Sequence, residues 1–373
     1  MRRIWIYSIM TIALSCVEPI SFEVPPAGDQ LVVEGYVQSG DGPHKVLLSK
    51  AGSIEESDSI VEYPVTGAEI ILYEDRVRAG QFIESEAGNY MIEKGLLSTK
   101  IGSKYHIEIK TADGHRYQSL QDQLQDVGTI TEMRTEFDKR SALTETGETD
   151  ASVLKVLVDG KMAQGEEVLT RWRFKVTYQA ETFPMWHLTI NPPYDPPYDP
   201  FPCSGYIVTE GPIFSGGLVI KVGECECCDC WADLFEPYPS LSDEAVINGD
   251  SYYNMSVGEI PISPAVFAKK AQISVEQMSL SRTAFDFFSL IRSQKENAQS
   301  IFQPVSGELR GNMVAASSAD FVTGIFYATS ISTSTMMIDS TDVPIAIPDA
   351  TYLTWPCAEI YENATYKQPD TWD

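Results

Sequence analysis

The amino-acid sequence predicts a mainly β protein of two β-sandwich domains, the second carrying one clear helix and a long disulfide-stapled loop. Three observations predict it. Short runs of alternating apolar and polar residues, bounded by Gly, Pro, Asn and Asp, recur through the first 120 residues, the pattern of half-buried strands joined by tight turns. The pattern restarts after about Val127. One stretch, near 281–299, has a helical period instead.

The chain opens MRRIWIYSIMTIALSC. Arg2 and Arg3 precede an apolar run from Ile4 to Leu14. The run is too short to span a bilayer as a helix but suits the core of a signal peptide. Ala13-Leu14-Ser15-Cys16 resembles the lipobox of bacterial lipoproteins, which makes 1–15 a signal peptide and Cys16 the lipidated first residue of the mature chain. No other segment is long and apolar enough for a transmembrane helix. Residues 16–28 are short, proline-containing and acidic, and read as a tether.

Residues 29–127 are expected to form the N-terminal sandwich. LVVEGYVQ (Leu31–Gln38) and KVLLSKA (Lys45–Ala51) are strands separated by the turn cluster SGDGPH. VTGAEIILYED (Val65–Asp75) is another strand, and Gly88–Ile92 is a turn leading into one. In KYHIEIKTADGHRYQS, Tyr105, Ile107 and Ile109 share one face, His106, Glu108 and Lys110 the other. Ala112-Asp113-Gly114-His115 makes the hairpin turn that follows.

Residues 128–373 form the second, C-terminal β-rich domain. SVLKVLVDG and TRWRFKVTYQAET read as strands. From about Pro192 to Tyr238 a loop region is expected, with the tandem repeat PPYDPPYDP (Pro192–Pro200) followed by a cysteine cluster. Proline stiffens such a segment and disfavours regular sheet. In the predicted helix, Phe285, Phe288 and Ile291 lie on one stripe with Phe287 and Leu290 beside it, and Ser281 is the N-cap. FVTGIFYATSIST returns to strand.

The cluster GECECCDCW holds Cys225, Cys227, Cys228 and Cys230, and Cys203 and Cys357 complete a set of six once Cys16 is set aside. An exported protein favours disulfides. Cys227 and Cys228 are neighbours with Cα atoms about 3.8 Å apart, below the usual disulfide range. Only two cysteines lie outside the cluster, so if all six pair, one bridge at least must close within it. The other two either tie the cluster to Cys203 and Cys357, or comprise a second internal bond and Cys203–Cys357. A four-thiolate zinc site competes, but C-x-C-C-x-C is too tight for two separated knuckles. A redox role for Cys227-x-x-Cys230 lacks the surrounding βαβ pattern.

Acidic residues outnumber basic ones 53 to 27 among 373, a formal net charge of −26. Such a chain repels phosphate backbones, so no nucleic-acid partner is expected. The four histidines show no metalloprotease helix motif, and there is no nucleophile elbow or P-loop. Asp195, Asp199, Glu224, Glu226 and Asp229 offer oxygen ligands, but no D-x-D-x-D-G calcium loop is present. No enzyme activity, metal or cofactor is therefore expected. Tyr194 and Tyr198 in the proline loop, with Trp186 and Trp231 nearby in sequence, are the candidate binding surface, since rigid aromatics give contact area at low entropy cost.

The order of LVVEGYV, VTGAEI, KYHIEIKTADGHRYQS, TRWRFKVTY, CCDCW, FDFFSLIRSQKENAQSIFQPVSGELRGNM, GIFYATS and a terminal Pro369-x-x-Trp372 resembles the DUF4249 family of Bacteroidetes lipoproteins. The resemblance covers nearly the whole mature chain. The first domain is similar to transthyretin-like β-sandwiches of TonB-dependent receptors, making the expected sandwiches Ig-like or transthyretin-like. The resemblance implies an outer-membrane lipoprotein, often encoded beside a TonB-dependent (SusC-like) receptor, and supplies no catalytic residues. Glu18, just after Cys16, resembles a surface-export signal and favours the outer face. The expected function is that of an accessory or ligand-capture partner of such a barrel. The alternative is a free-standing structural or adhesive surface module.

Overall fold

A computed structural model describes residues 30–50, 63–144, 147–164, 169–187, 200–209, 218–243, 246–248, 250–298, 311–318, 320–347 and 352–372. The signal peptide, the tether, Cys16, Tyr194 and Tyr198 lie outside the described residues. The chain is mainly β, as the alternation predicts.

The first half supplies β1 (Leu31–Gln38), β2 (His44–Lys50), β3 (Tyr63–Pro64), β4 (Glu69–Glu74), β5 (Val77–Glu86), β6 (Asn89–Ile92), β7 (Lys104–Lys110), β8 (Arg116–Ser119) and β9 (Asp122–Gln123). Then come β10 (Thr129–Thr144), β11 (Gly147–Lys161), β12 (Leu169–Glu181), β13 (Tyr206–Thr209), β14 (Leu218–Lys221) and β15 (Asp229–Phe235). The last part holds β16 (Ser240–Leu241), β17 (Val246–Asn248), β18 (Ser251–Pro261), β19 (Lys270–Leu280), α1 (Arg282–Ala298), β20 (Met313–Ala315), β21 (Val322–Thr329), β22 (Ile331–Asp339), α2 (Cys357–Ile360) and β23 (Ala364–Thr365).

The first sheet has the order β20-β8-β7-β4-β5-β6-β2-β1-β21, with β3 on β2 and β9 on β7. Its two ends belong to one short stretch of chain, so the sheet curves into a near-closed barrel. The side chain of Asn312 bridges the gap: its Nδ2 donates to the Phe326 carbonyl at 2.6 Å and its Oδ1 accepts from the Phe326 N–H at 2.9 Å. The period-2 faces read from the sequence are the real ones. Tyr105, Ile107 and Ile109 are buried, packed with Leu31, Leu48, Ile70, Phe82 and Phe326.

The sequence pattern placed β1–β9 in a unit of their own, yet their sheet is completed by β20 and β21 from far along the chain. β21 runs parallel to β1, Leu31 opposite Val322 through Gln38 opposite Thr329. Gly324 makes that approach possible. Its φ is +104°, and a Cβ there would stand 1.9 Å from the Val33 carbonyl oxygen.

Two further sheets pack around one core. One runs β10-β11-β18-β17; the other runs β22-β19-β12-β15-β23, with β16 on β12. Trp172, Phe174 and Val176 of β12 meet Leu154, Val156 and Val158 of β11. Inside, Trp172 Nε1 donates to Tyr252 Oη at 3.2 Å, and Tyr252 Oη donates to Gln277 Oε1 at 3.0 Å. Burial pushes the Tyr252 phenol up to about 12.

Helix α1 joins the two bodies. Phe285 and Phe288 are buried with Leu241, Met278, Ile325 and Tyr327, which come from both. Ser281 caps it, its Oγ accepting from the Ala284 N–H at 3.2 Å. The apolar stripe thus packs into the seam between the sheets.

Candidate functional site

The knot around the cysteine cluster is built on the end of β12 and on β15. β15 pairs with β12 from Lys175 opposite Phe235 to Glu181 opposite Asp229. This is a strand inside the region expected to be loop, and Cys230 lies within it. Its alternation is masked in the sequence because the inward positions hold Cys230 and Ala232 rather than large apolar residues.

All six cysteines beyond Cys16 are paired: Cys203–Cys227, Cys225–Cys228 and Cys230–Cys357. This is the arrangement in which one bridge closes inside the cluster and two tie it to Cys203 and Cys357. The Cα separations of 5.6, 5.7 and 5.6 Å sit inside the usual range. Backbone hydrogen bonds accompany the bridges. The Glu226 N–H donates to the Cys203 carbonyl at 2.8 Å, Cys357 N–H to Cys227 at 2.9 Å, and Thr182 N–H to Cys228 at 2.8 Å. The apolar core beneath is small: among the described residues Ala180, Cys230 and Cys357 form its buried centre.

The segments tied by the knot carry aromatic rings at the surface. Phe183 and Trp186 stack at 5.0 Å with 12° between planes, and Tyr352 packs on both at 5.1 and 5.5 Å. Beside them, His187, Phe201 and Trp355 form a second triad with centroids 4.4–5.4 Å apart. Trp186 is 47% exposed, Trp355 52% and Tyr352 65%. Large rings held at such exposure, with their stems fixed, form a pre-organised contact surface. The Phe183 N–H donates to the Leu353 carbonyl at 2.7 Å and the Phe201 N–H to the Pro184 carbonyl at 3.2 Å, so the three segments are also joined through their backbones.

Sequence reasoning passed over most of these rings, yet a signal was present. Phe201-Pro202-Cys203 and Trp355-Pro356-Cys357 repeat one aromatic–Pro–Cys tripeptide. The two cysteines enter the same knot, and the two aromatic rings meet at 5.4 Å. Trp231 lies elsewhere. It neighbours the buried Cys230 along β15, so its side chain leaves the opposite face of the strand and packs edge-on against Trp372 at 6.3 Å. The Trp372 carbonyl accepts from Lys270 Nζ at 2.9 Å, which holds the terminal P-x-x-W against the sheet.

Of the carboxylates weighed as metal ligands, Asp195 and Asp199 lie outside the described residues, and two of those near the knot are engaged otherwise. Glu224 pairs with Lys221 at 3.0 Å and Asp229 with Lys269 at 2.5 Å. Among the described residues no cluster of three or more His, Cys, Asp or Glu could hold a metal ion.

Among the cavities away from the knot, two hold a histidine–aspartate pair and a row of cations, respectively. One, of about 590 Å³, is lined by Lys50, Asp113, His115 and Asp320. There His115 Nδ1 lies 3.0 Å from Asp320 Oδ2, and that hydrogen bond raises the imidazole above its usual range. The other, of about 550 Å³, follows the seam between the barrel and β12. Arg171, Arg173 and Lys175 line it at alternate positions, but Glu236, Glu276 and Asp233 pair with them at 2.8, 2.5 and 3.3 Å. Neither cavity gathers a nucleophile and a base.

No curated protein matches the chain. A solved structure of trypsin-activated alpha-2-macroglobulin from Escherichia coli aligns at 12% identity over 69% of this chain and 15% of that one, with a TM-score of 0.18 that carries no argument about fold. The profile of the domain of unknown function DUF4249 matches residues 17–335, and on that match the chain belongs to the DUF4249 family.

Proposed function

We propose that this chain is a non-enzymatic lipoprotein, anchored through an acylated Cys16 in the outer membrane and facing the cell exterior. There it serves as the accessory or ligand-capture partner of a TonB-dependent barrel. Its two bodies are read as descendants of transthyretin-like or Ig-like sandwiches. The single observation that carries the binding role is the exposed aromatic surface of Trp186, Tyr352 and Trp355, held at the end of a sheet by the Cys230–Cys357 bridge and by the backbone hydrogen bonds of Thr182 and Phe183. Aromatic anchors on an immobile scaffold bind with little ordering cost.

The test is a native pull-down of the acylated protein, tagged at its C-terminus and extracted from its own outer membrane in mild detergent. A barrel recovered in near-equal amount, and lost at least tenfold from Trp186→Ala/Tyr352→Ala/Trp355→Ala, is the expected result. Recovery of folded protein alone, at good yield, would transfer the reading to a free-standing surface module.

A further inference from the structure

The cavity along the seam continues into another, of about 350 Å³, and the two share Tyr36, Lys45, Arg173 and Glu276. Together they make one cleft with two walls. One wall is the outer face of β1 and β2. Leu31, Val33, Gly35 and Val37 turn into the barrel, so Glu34 and Tyr36 turn out toward the cleft. The other wall crosses four adjacent strands. Phe235 on β15 lies opposite Lys175 on β12, Arg173 opposite Glu276 on β19, and Glu276 opposite Thr333 on β22. Three strand spacings of about 4.8 Å make this wall about 14 Å across, which suits an extended ligand.

Strand faces decide how such a ligand is held. The backbone N–H and C=O groups of β1, β12 and β19 are committed to neighbours on both sides. An extended peptide therefore finds no free edge to pair with along these strands, and recognition falls to side chains. Their charges balance. The three ion pairs described above leave one further cation and one further carboxylate on the lining, Lys45 and Glu34. The cleft is thus close to neutral in a chain of net charge −26. A charged ligand would compete with a carboxylate or a cation already in place. A hydroxyl competes with neither, because it accepts from the cation and donates to the carboxylate.

The Arg173–Glu276 pair is arranged for this. Arg173 Nε and Nη2 meet Glu276 Oε2 at 2.6 and 2.5 Å, and the two side chains are 32% and 27% exposed. Guanidinium has five N–H donors and a carboxylate about four acceptor sites. The pair thus has more capacity than its own contact uses, and it offers donor and acceptor side by side, as two neighbouring hydroxyls require. The Tyr36 ring steadies it, its centroid 5.7 Å from the guanidinium carbon. At the other end of the wall Phe235 is 49% exposed. An exposed ring gives an apolar face on which the C–H face of a sugar can lie.

We propose that this cleft binds a neutral oligosaccharide, with neighbouring hydroxyls bonded by Arg173 and Glu276 and one sugar ring stacked on Phe235. Phe235 ends β15, whereas Cys230 and the knot are at its start. The site is therefore separate from the aromatic surface at the knot and needs no barrel partner.

The test is titration calorimetry of the full chain with maltohexaose, cellohexaose, xylohexaose, mannohexaose and hexagalacturonate, in a detergent without a sugar head group. At least one neutral hexasaccharide is expected to bind with Kd below about 1 mM, unchanged within twofold by added salt. Phe235→Ala, at an exposed position, should weaken that binding at least tenfold. Arg173→Leu/Glu276→Leu removes both partners, leaves no orphan charge, and should abolish it with far-UV dichroism retained. Trp186→Ala/Trp355→Ala should leave it unchanged. Failure of every neutral sugar to bind would overturn the proposal. So would binding that survives Phe235→Ala, or that is lost in Trp186→Ala/Trp355→Ala instead. Tighter binding of hexagalacturonate, weakened by salt and by Lys45→Ala, would replace it with an anion site. The native pull-down reads the barrel partner separately, so a failure there leaves this result untouched.

Discussion

The barrel-like sheet closes over Leu31, Leu48, Ile70, Phe82, Tyr105 and Phe326, all nearly inaccessible to water. At the other end of the molecule the knot buries Ala180, Cys230 and Cys357 at its centre. The first region gains its order from apolar area removed from water, about 25 cal/mol per Å². The second has too little such area and relies on constraining the unfolded chain instead. The difference matters for the surface each presents. A region ordered by burial needs a large apolar centre, whatever it also exposes at its rim, such as Val77 and Ile83. A region ordered by covalent bonds can leave Trp186, Tyr352 and Trp355 facing water without losing its shape.

The largest expected effect that sharpens this contrast comes from Cys230→Ser/Cys357→Ser. That bridge spans 127 residues, and its loss should cost about 5 kcal/mol on the chain-entropy account. Urea unfolding followed by hydrogen exchange, region by region, should place the loss in peptides of β15 and α2. Phe326→Ala should cost about 4 kcal/mol through the cavity it leaves, placed in the barrel and indifferent to reductant. If reductant lowered the barrel's protection as much as the knot's, the division would fail. Cys203→Ser/Cys227→Ser, with partners 24 positions apart, should cost about 3.5 kcal/mol, and Cys225→Ser/Cys228→Ser, with partners three apart, about 1.6 kcal/mol. The order of the three double variants is the stricter test, because an enthalpic origin of the stabilisation would scramble it.

The smallest effect concerns the rim of the barrel. Asp320 raises the His115 imidazole above 6.5 through a hydrogen bond. The pairing therefore stabilises fully below pH 6.5 and is lost as pH rises through the higher folded value. With only four histidines in the chain, proton NMR should find this midpoint above the ordinary one, and Asp320→Asn should return it.

Much of this contrast was readable beforehand, for reasons that differ by region. β1 was legible because LVVEGYVQ alternates and is stopped by turn residues, and α1 because Phe285, Phe288 and Ile291 recur at helical spacing. The need for an internal bridge followed from the count of four cysteines inside the cluster against two outside it. What stayed hidden was non-local. Nothing in LVVEGYVQ names GIFYAT as its neighbour, since parallel pairing is fixed by the assembled sheet. β10 carries many polar side chains and so lacks clean alternation, while β5 mixes exposed Val77 and Ile83 with charge. The aromatic surface required segments near 183, 201 and 355 to meet, and only the paired cysteines indicated that they do.

The parallel seating of β21 on β1 also sets a schedule for biogenesis. Synthesis delivers Leu31 long before Val322, yet those residues are neighbours in the finished sheet. Until the later strand arrives, β1 keeps an open edge of unpaired N–H and C=O groups, the kind of edge that recruits other chains. Closing so wide a loop is slow, so the emerging polypeptide carries an unfinished sheet until its last strands are made. A chain ending before residue 322 would retain that edge permanently. Such a truncation should depend on chaperones to stay soluble, whereas the complete chain is released from them once its last strands are in place.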